Sequence, residues 1–444
     1  MDAPICRFVR EYAAGGAVRL HMPGHKGRGV LGCEAVDITE IRGADDLSCP
    51  EGVIAESERN ATALFGSRHT FYSTGGSSQC VKAMLLLAAR RSKSRVVLAA
   101  RNAHKSFIHA CALLDLLPEW LYPESGAASL CACPVTPEGV RAAISGMAEP
   151  PCAVYITSTD YLGGVQDIAA LAEAAHEFGV PLLVDNAHGA YLAFLGESAH
   201  PIALGADMCC DSAHKTLGVL TGGAYLHVSR ASRFDFGQDA REALAVMGSS
   251  SPSYLIMQSL DAMNVRLAGA YRAELADCVS RLDGLKSALS ALGVPVAASD
   301  SLRLTIAAHE AGKTGFELAE TLRLHGAEPE FADRDYLVMM FTPDVDERAY
   351  GLVADAFCGF EPGAPRPALP LPAPGERVLT PREALLAPRE RIAAAQAEGR
   401  VMASAAVTCP PAIPVAVLGE RLTRAHVQLF SQLGVEYVDV VTTN

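Results

Sequence analysis

A lysine near the middle of the chain, Lys215, has the surroundings of a reactive amine. It follows the apolar run Met208–Cys210 and precedes a glycine-rich stretch, in the segment DSAHKTLGVLTGGAYLH (211–227). Lysines are rarely buried. In a site of low dielectric constant the charged form is disfavoured, so the amine becomes nucleophilic and able to form a Schiff base. Taken alone, the segment is more simply interpreted as an exposed loop lysine.

An aspartate upstream of this lysine, Asp185, directly follows an apolar run in PLLVDNAHGAY (181–191). A carboxylate at the end of a strand can hold a proton on a pyridine nitrogen and keep such a ring an effective electron sink. An aspartate that only ends a strand and caps the next turn explains Asp185 equally well.

A glycine and serine run, Gly75–Ser78, joins an apolar segment to a helical one in TFYSTGGSSQCVKAMLLLAA (70–89). Amides and hydroxyls at the amino end of a helix form a cradle for phosphate. Such turns are common, and this one matches neither the dinucleotide GxGxxG pattern nor the GK[ST] of a P-loop. The run alone is therefore weak evidence for a phosphate site.

The elements that would position these residues alternate between strands and helices over residues 54–230. Apolar residues repeat at helical spacing over residues 167–179, and Gly179 is a suitable terminator, so this segment predicts a helix. Five other runs are short and unalternating, as strands buried on both faces are: Val96–Ala100, Ala153–Ile156, Pro181–Val184, Met208–Cys210 and Ala224–Val228. The alternation predicts an α/β fold with a mostly parallel, doubly wound sheet, in which ligands bind at the carboxyl ends of the strands.

The whole chain of 444 residues suggests several domains. We expect an N-terminal segment (1–50), a large domain (51–265), a smaller α+β domain (266–360), a proline-rich linker (361–376) and a C-terminal subdomain (377–444). The smaller domain is predicted from a long helical stretch over 256–292, two apolar runs at 302–308 and 336–341, and a helix at about 315–325. The linker is stiff because it has six prolines in sixteen residues. Beyond it, PREALLAPRERIAAAQAEG (381–399) predicts a helix.

Composition excludes several classes of function. The net charge of −13 argues against nucleic-acid and anionic-membrane surfaces, which need concentrated lysine and arginine. The 13 cysteines are an odd number without a CxxC pair, so we expect reduced thiols and no metal site. No apolar run approaches the ~18 residues of a membrane span, and Asp2 and Glu11 interrupt the start where a signal peptide needs an apolar stretch. These features predict a cytoplasmic protein.

The cradle, the acidic strand end and the lysine have the order and spacing of fold-type I pyridoxal-phosphate (PLP) enzymes. Six stretches, which span most of the chain in the right order, closely resemble the Orn/Lys/Arg decarboxylase family: HMPGHKG (21–27), DITEIRGADDL (37–47), ARNAHKS (100–106), DNAHGA (185–190), SAHKTL (212–217) and SSSPSYLIMQSLD (249–261). This resemblance implies an aspartate aminotransferase-like large domain. It also implies PLP-dependent α-decarboxylation of a basic L-amino acid (arginine, lysine or ornithine) to an amine used in polyamine biosynthesis.

The resemblance also implies roles for individual residues. Lys215 is expected to be the Schiff-base lysine, Asp185 the partner of the pyridine nitrogen, and His104 the residue that stacks on the ring. The other expected cofactor contacts are Gly76, Ser77, Ser78, Ala187, His188, Ser212, His214, Ser249 and Ser250. Family members insert the stretch that matches Ser249–Pro252 into the neighbouring subunit's site, so a homodimer or higher homo-oligomer with shared sites is implied.

Three histidines leave alternatives open. His188 either lines the cofactor pocket or only satisfies a loop carbonyl, and the sequence favours neither. His21 and His25 have the i, i+4 spacing of a helical metal pair, but the intervening Pro23–Gly24 disfavours a helix. We therefore expect a loop at the rim of the active site there.

The chain departs from the family pattern in its tail and at its start. TCPPAIPVAVLGE (408–420) resembles a degenerate form of the family's YPPGIP…PGE signature, with Cys409 for Tyr, Ala412 for Gly and Leu418 for Pro. Ala405–Ala406 stand where relatives commonly have an acidic residue, the natural partner of a distal ammonium or guanidinium group. The MPGHK stretch begins at Met22, as in a short form without the N-terminal domain of the inducible members.

The sequence therefore leaves alternatives open for both the substrate and the reaction. The departures leave open which basic amino acid is bound. They also leave open another fold-type I reaction, such as that of a lyase or an aminotransferase. A non-catalytic relative that acts as a binding or regulatory protein is the remaining alternative, and the intact set of Lys215, Asp185 and His104 argues against it.

Overall fold

The computed structural model describes residues 1–123, 129–369, 371–405 and 413–442. Its strands are β1 (His69–Ser73), β2 (Val96–Ala100), β3 (Leu117–Leu121), β4 (Ala153–Thr157), β5 (Leu182–Asp185), β6 (Met208–Asp211), β7 (Ala224–Val228), β8 (Val296–Ala297), β9 (Arg303–Ile306), β10 (Phe331–Ala332), β11 (Leu337–Met340), β12 (Arg389–Ala393) and β13 (Tyr437–Val441).

The α-helices are α1 (Pro4–Ala14), α2 (Val53–Phe65), α3 (Gly76–Arg91), α4 (Lys105–Leu114), α5 (Pro137–Ser145), α6 (Ile168–His176), α7 (Ala213–Thr216), α8 (Gly237–Val246), α9 (Tyr254–Ala268), α10 (Tyr271–Ala291), α11 (Gly315–Leu324), α12 (Arg348–Ala356), α13 (Pro381–Leu386) and α14 (Arg424–Gln432). None of the helices in the described ranges is both long and apolar enough to cross a membrane.

The chain forms two compact units. The first comprises Met1–Arg91 and Ile168–Glu274, and the second comprises Ser92–Asp167 and Leu275–Asn444. Nothing in this division tests the five segments expected from the sequence, and those boundaries stay a prediction.

The first unit is built on four neighbouring strands in the order β1-β7-β6-β5. β5 and β6 are parallel, whereas β7 runs antiparallel to both β6 and β1. Every residue of β5, β6 and β7 is buried, and α3 packs against all three strands. Helices connect the parallel strands, as in the α/β class that the alternation predicts. Because the strands are buried on both faces, they are continuous apolar runs rather than alternating ones.

The second unit contains three sheet regions. β2 pairs in parallel with both β3 and β4. The antiparallel strands β10-β11-β9-β8 form a small sheet with α11 packed on it, which is the α+β arrangement expected for this part of the chain. β12 and β13 pair antiparallel near the carboxyl end. A buried cluster that includes Met402, Phe430 and Val440 provides the core of this last region.

The predicted strands and helices largely agree with those observed. All five apolar runs lie in strands, at β2, β4, β5, β6 and β7. The helix predicted over residues 167–179 is α6, and Gly179 has a φ of +69°, as expected of a residue that terminates a helix. The helix predicted at 315–325 is α11, which begins at a capping box formed by Thr314 and Glu317.

Two predicted helices differ from the structure. The prediction of one helix over 381–399 is wrong, because α13 is the only α-helix in this range, and β12 and a short 3₁₀ turn (Ala394–Gln396) follow it. Pro388 explains the difference, since proline lacks a backbone N–H and disfavours a helical conformation in the residue before it. The long helix predicted over 256–292 is divided into α9 and α10 at Gly269, which has non-helical dihedral angles (φ −112°, ψ −109°).

The cysteines in the described residues are unpaired. Nine of those twelve are buried, Cys33 is half-buried, and Cys49 and Cys358 are exposed. Burial raises the pKa of the thiols of Cys80 and Cys152 to about 12. They are packed as small apolar side chains, as the sequence predicts.

Candidate active site

The carboxyl ends of β5 and β6 bring two of the predicted catalytic residues to one edge of the sheet. Asp185 ends β5 and is paired in register with Cys210, the penultimate residue of β6. Four residues after β6 ends at Asp211, Lys215 lies in the single turn of α7. Because the two strands are parallel, their carboxyl ends meet at the same edge.

The amine of Lys215 contacts the imidazole of His188. Lys215 Nζ lies 2.7 Å from His188 Nε2, and His188 is 7% exposed. The lysine itself is partly buried. The structure therefore places His188 beside the amine of Lys215, and its place in a cofactor pocket stays a prediction. A neutral imidazole at this distance can accept a proton from the ammonium group.

Asp185 is a buried carboxylate that neighbouring groups hold in place. It is 3% exposed, and its Oδ1 accepts hydrogen bonds from the backbone N–H of Ala187 at 3.2 Å and from the thiol of Cys210 at 3.6 Å. Burial and the nearby charge of Asp185 raise the pKa of the Cys210 thiol, so this thiol stays protonated and remains a donor. The carboxylate of Asp185 is therefore buried and held in place by these two donors.

The amino end of α3 lies beside the turn that carries Lys215. The helix begins at Gly76, whose φ of +70° is readily adopted only by glycine and whose N–H donates to Gly222 O at 2.9 Å. The hydroxyl of Ser212 donates to Ser77 Oγ at 2.8 Å, and both serines are at least half-buried. Ser77 and Ser78 thus lie in the first turn of a 16-residue helix, where backbone amides attract an anion.

His214 is held against the strand that follows. Its backbone N–H donates to Gly223 O at 3.2 Å, and its Nδ1 contacts the same oxygen at 3.0 Å. Burial lowers the pKa of His214, and the charge of Lys215 adds to this effect. A neutral imidazole that donates Nδ1–H to Gly223 fixes the tautomer and the orientation of the ring.

His104 and the serine loop belong to different units. His104 belongs to the second unit, where it is the N-cap of α4 and its Nδ1 accepts from Ser106 N–H at 3.2 Å. Ser249 and Ser250 are exposed and belong to the first unit, just after Gly248. The ring-stacking role of His104 and the cofactor contacts of the two serines stay predictions.

The N-terminal histidines form no metal pair with each other. The segment around them is a loop without helix, as expected from Pro23. His25 Nε2 lies 3.2 Å from Asp37 Oδ2, and His21 Nε2 lies 2.5 Å from the hydroxyl of Tyr12. Of the altered tail positions, Ala406, Cys409 and Ala412 lie outside the described residues.

A buried cluster behind the lysine turn was not found by sequence reasoning. His200, Cys209, Asp211 and His227 are fully buried, and their ligand-type atoms lie within 4.8 Å of one another, which makes them a group able to hold a cation. In the sequence, Asp211 ends an apolar strand in the same way as Asp185 does, and this was the available signal. His200 and His227 gave none, because each stands alone in an apolar segment.

Comparison with known proteins places the whole chain among amino acid decarboxylases. The family model "Orn/Lys/Arg decarboxylase, major domain" matches residues 3–326. The chain is 31% identical over 471 residues to the uncharacterized protein YaaO of Bacillus subtilis, covering 98% of this chain and 94% of the relative. It is 29% identical over 458 residues to an arginine decarboxylase of the same organism, covering 96% and 92%.

Solved structures of low sequence identity share the fold. The Escherichia coli constitutive lysine decarboxylase superposes with a TM-score of 0.79 at 19% identity, covering 99% of this chain and 82% of the other. The Francisella novicida lysine decarboxylase LdcF superposes with a TM-score of 0.83 at 16% identity, covering 99% and 81%. A NifS-like protein is a more distant match, with a TM-score of 0.54 at 12% identity. These likenesses confirm the predicted fold class.

Proposed function

Because the chain belongs to the Orn/Lys/Arg decarboxylase family of PLP-dependent enzymes, we propose that it removes the α-carboxylate of a basic L-amino acid as CO₂. The substrate is arginine, lysine or ornithine, and the product is the corresponding amine, a precursor type for polyamine biosynthesis. The observation that carries the proposal is the contact of Lys215 with His188 at the strand edge that also holds Asp185.

The residues of the first unit fit PLP by their chemistry. The cofactor needs an amine for its aldehyde, a carboxylate for its pyridine nitrogen and several donors for its phosphate. Lys215 is a partly buried amine, Asp185 is a buried carboxylate, and Ser77 and Ser212 are hydrogen-bonded hydroxyls at the amino end of α3. When bound, PLP supplies the sink for the electrons released from the bond between Cα and the carboxylate.

The chain's own residues then divide the remaining tasks. His188 Nε2 takes a proton from Lys215 Nζ, which leaves the amine neutral and nucleophilic. Asp185 keeps a proton on the pyridine nitrogen, since a carboxylate in a buried site strongly favours a cationic partner. Ser77 and Ser78, with the free amides of α3, hold the phosphate. With PLP bound, His104 would provide a flat ring for stacking, and Lys215 Nζ would be the amine that holds the aldehyde carbon of the cofactor.

The test of this proposal uses purified protein that has been incubated with PLP. A visible absorption band that disappears on borohydride reduction, with the label recovered on Lys215, is expected. A mixture of L-arginine, L-lysine and L-ornithine should then release CO₂ and one predominant amine. Keto acid without CO₂ would instead indicate an aminotransferase. A protein without the band or any turnover would indicate a non-catalytic relative, and either result would contradict the proposal.

Two further parts of the proposal concern assembly and location. We propose that the enzyme is a homodimer, or a higher homo-oligomer, in which Ser249–Pro252 of one chain completes the site of another. The exposure of Ser249–Ser251 in the single chain supports this, because a phosphate-binding loop is otherwise partly covered. A cytoplasmic location is supported by the unpaired cysteines of the described residues.

A further inference from the structure

Asp211 is a fully buried carboxylate whose two oxygens are both engaged. Its Oδ2 lies 3.0 Å from His200 Nε2 and 3.0 Å from His227 Nε2, and its Oδ1 accepts from Asn186 Nδ2 at 2.7 Å. All four residues are at most 1% exposed. A carboxylate in such surroundings is costly unless it is fully hydrogen-bonded, and here three donors supply that compensation.

The protonation of this group is fixed by its neighbours. Burial alone would raise the pKa of Asp211, but the imidazoles of His200 and His227 outweigh burial and hold it well below its usual range. Burial lowers the pKa of His227. His227 Nδ1 lies 2.8 Å from Thr70 Oγ1, so the neutral ring accepts from Thr70 and donates Nε2–H to Asp211. The cluster is therefore an ionised carboxylate held by donors from three separate segments.

The hydrogen bond to Asn186 connects the cluster to the candidate active site. Asn186 is the residue after Asp185, and its backbone N–H also donates to Cys210 O at 3.0 Å. Its carboxamide is closely confined, since a Cβ on Gly189 would lie 2.0 Å from Asn186 Oδ1. Asp211 in turn is followed directly by Ser212 and the turn that carries Lys215. This side-chain bond joins the two chain segments that carry the predicted catalytic pair, together with the bond from the Cys210 thiol to Asp185 and the contact of Lys215 with His188.

From this geometry we infer that Asp211 is a positioning residue. It fixes the turn of Lys215 against the strand end of Asp185, and His200 and His227 hold its carboxylate in the orientation that reaches Asn186. The inference rests on the proposed function only for the use of these two residues, because the connection between the segments is present without cofactor. The same four-residue group that includes Cys209 would take a cation only by displacing these hydrogen bonds.

A second buried aspartate on the same strand offers a matched control. Asp207 immediately precedes β6, at the end away from Lys215, and is also fully buried. Its Oδ2 lies 2.7 Å from His176 Nε2 and accepts from Leu182 N–H at 2.8 Å, and its Oδ1 accepts from Ser232 Oγ at 2.6 Å. Asp207→Asn and Asp211→Asn therefore remove similar charges from similar networks, at opposite ends of one strand.

The first measurement needs no cofactor. In hydrogen–deuterium exchange of the protein without PLP, Asp211→Asn should accelerate exchange over 185–189 and 212–216, while Asp207→Asn should affect only the residues around 182 and 232. Asn186→Ala, which removes the bond but keeps the histidine contacts, should reproduce the first pattern. Equal acceleration at both segments by Asp207→Asn would overturn the inference, because the effect would then be general destabilisation.

The second measurement uses PLP. Asp211→Asn should weaken PLP binding about tenfold or more and shift the pH midpoint of the visible band, with Asp207→Asn within about twofold of wild type. The double variant of Asn186→Ala and Asp211→Asn should bind PLP no more weakly than the weaker of the two single variants. Both substitutions remove the same hydrogen bond between Asn186 and Asp211. Wild-type protein that binds no PLP would contradict the proposed function, while the exchange result would still decide the role of Asp211.

Metal analysis of the purified protein provides the remaining outcome. The hydrogen-bonded cluster predicts no bound transition metal at one per chain and no gain in Tm on addition of zinc. Stoichiometric metal that is lost in Cys209→Ser would overturn the inference, since Asp211 would then be a ligand rather than an acceptor for His200 and His227.

Discussion

In the proposed mechanism, the contact between Lys215 and His188 controls when the amine is available. Lys215 Nζ and His188 Nε2 lie 2.7 Å apart, which is within hydrogen-bond distance. In this proposed mechanism, His188 Nε2 accepts a proton from the Lys215 ammonium group, which leaves the amine nucleophilic. Chemistry at this site therefore depends on two residues that lie 27 positions apart in the chain.

Replacing Lys215 by alanine should abolish both the visible band of the PLP-loaded protein and its turnover. The physical reason is that Lys215, in α7, supplies the amine at the carboxyl edge of β6. Lys286→Ala is the matched control, because Lys286 is another partly buried lysine, which lies in α10 and donates to Asp300 O. Normal activity of the Lys215 variant would rule out its assigned role.

Replacing Asp185 by asparagine should leave some PLP bound but slow decarboxylation severely. An amide cannot keep the pyridine nitrogen protonated, so several kcal/mol of transition-state stabilisation are lost, and each ~1.4 kcal/mol is a factor of ten in rate. The measurement is single-turnover CO₂ release at saturating PLP. Cys210→Ala, which removes only a donor to Asp185, should retain most of the rate. A rate for the asparagine variant within a few-fold of wild type would mean that Asp185 is only structural.

Among the elements, α14 begins with an unusual capping box. Thr423 is its N-cap, and the N3 position, which is commonly Glu or Gln, is His426. His426 Nδ1 accepts from Thr423 N–H at 3.2 Å and is 1% exposed. Burial lowers the pKa of His426 to about 4, and the charge of Arg101 contributes. The start of this helix is therefore stable only while the imidazole is neutral.

Because of this histidine, the folded protein should become less stable as the pH is lowered. Below the unfolded pKa of about 6.5 the unfolded chain binds a proton that the folded protein excludes, so the free energy of unfolding decreases from pH 6.5 down to about 4. His426→Gln keeps an acceptor at N3 and should remove up to about 3 kcal/mol of this dependence. Urea unfolding at pH 7, 6, 5 and 4 measures it, with the exposed His325→Gln as control. Parallel pH profiles for wild type and His426→Gln would contradict the assignment.

The elements show what the sequence can and cannot predict. The buried strands were recognisable because their apolar runs end at Asp185 and Asp211, and α6 because of its helical spacing. β12 was mistaken for helix, since the wider segment 381–399 is rich in alanine, which suits a helix, and the partner strand β13 lies over forty residues away. The sequence did not predict the cluster of His200, Asp211 and His227 for the same reason. Contacts that depend on pairing between distant segments leave no local pattern.

At the scale of the whole molecule, the predicted sharing of sites between subunits can be tested by complementation. Lys215→Ala subunits lack the amine, and subunits with Ser249–Ser251 replaced by alanine lack the proposed loop donors. If the loop serves the neighbouring chain, a mixed dimer contains one site that is intact in both respects. Mixing the two inactive proteins under conditions of subunit exchange should therefore restore activity, to at most one good site per mixed dimer.

The control for this experiment is a mixture of Lys215→Ala with Asp185→Asn, which both belong to the site of their own chain. In that mixture every site takes Lys215 and Asp185 from one chain, so each retains one of the two defects and no activity above that of the asparagine variant is expected. Exchange itself is verified with differently tagged subunits. Mixtures of the first kind that exchange but stay inactive would show that each site is built within one chain.

The buried cysteines allow local opening of the structure to be measured by thiol alkylation. A thiol reacts with alkylating reagents as the thiolate, so thiols that are buried and have raised pKa values react only when the surrounding structure separates. Cys80, Cys209 and Cys210 lie in the first unit, and Cys131 and Cys152 in the second. Their alkylation rates would time the opening of each unit independently, with the exposed Cys49 and Cys358 as fast internal standards. Thiol alkylation thus reports the opening rate of each unit separately, without an added label.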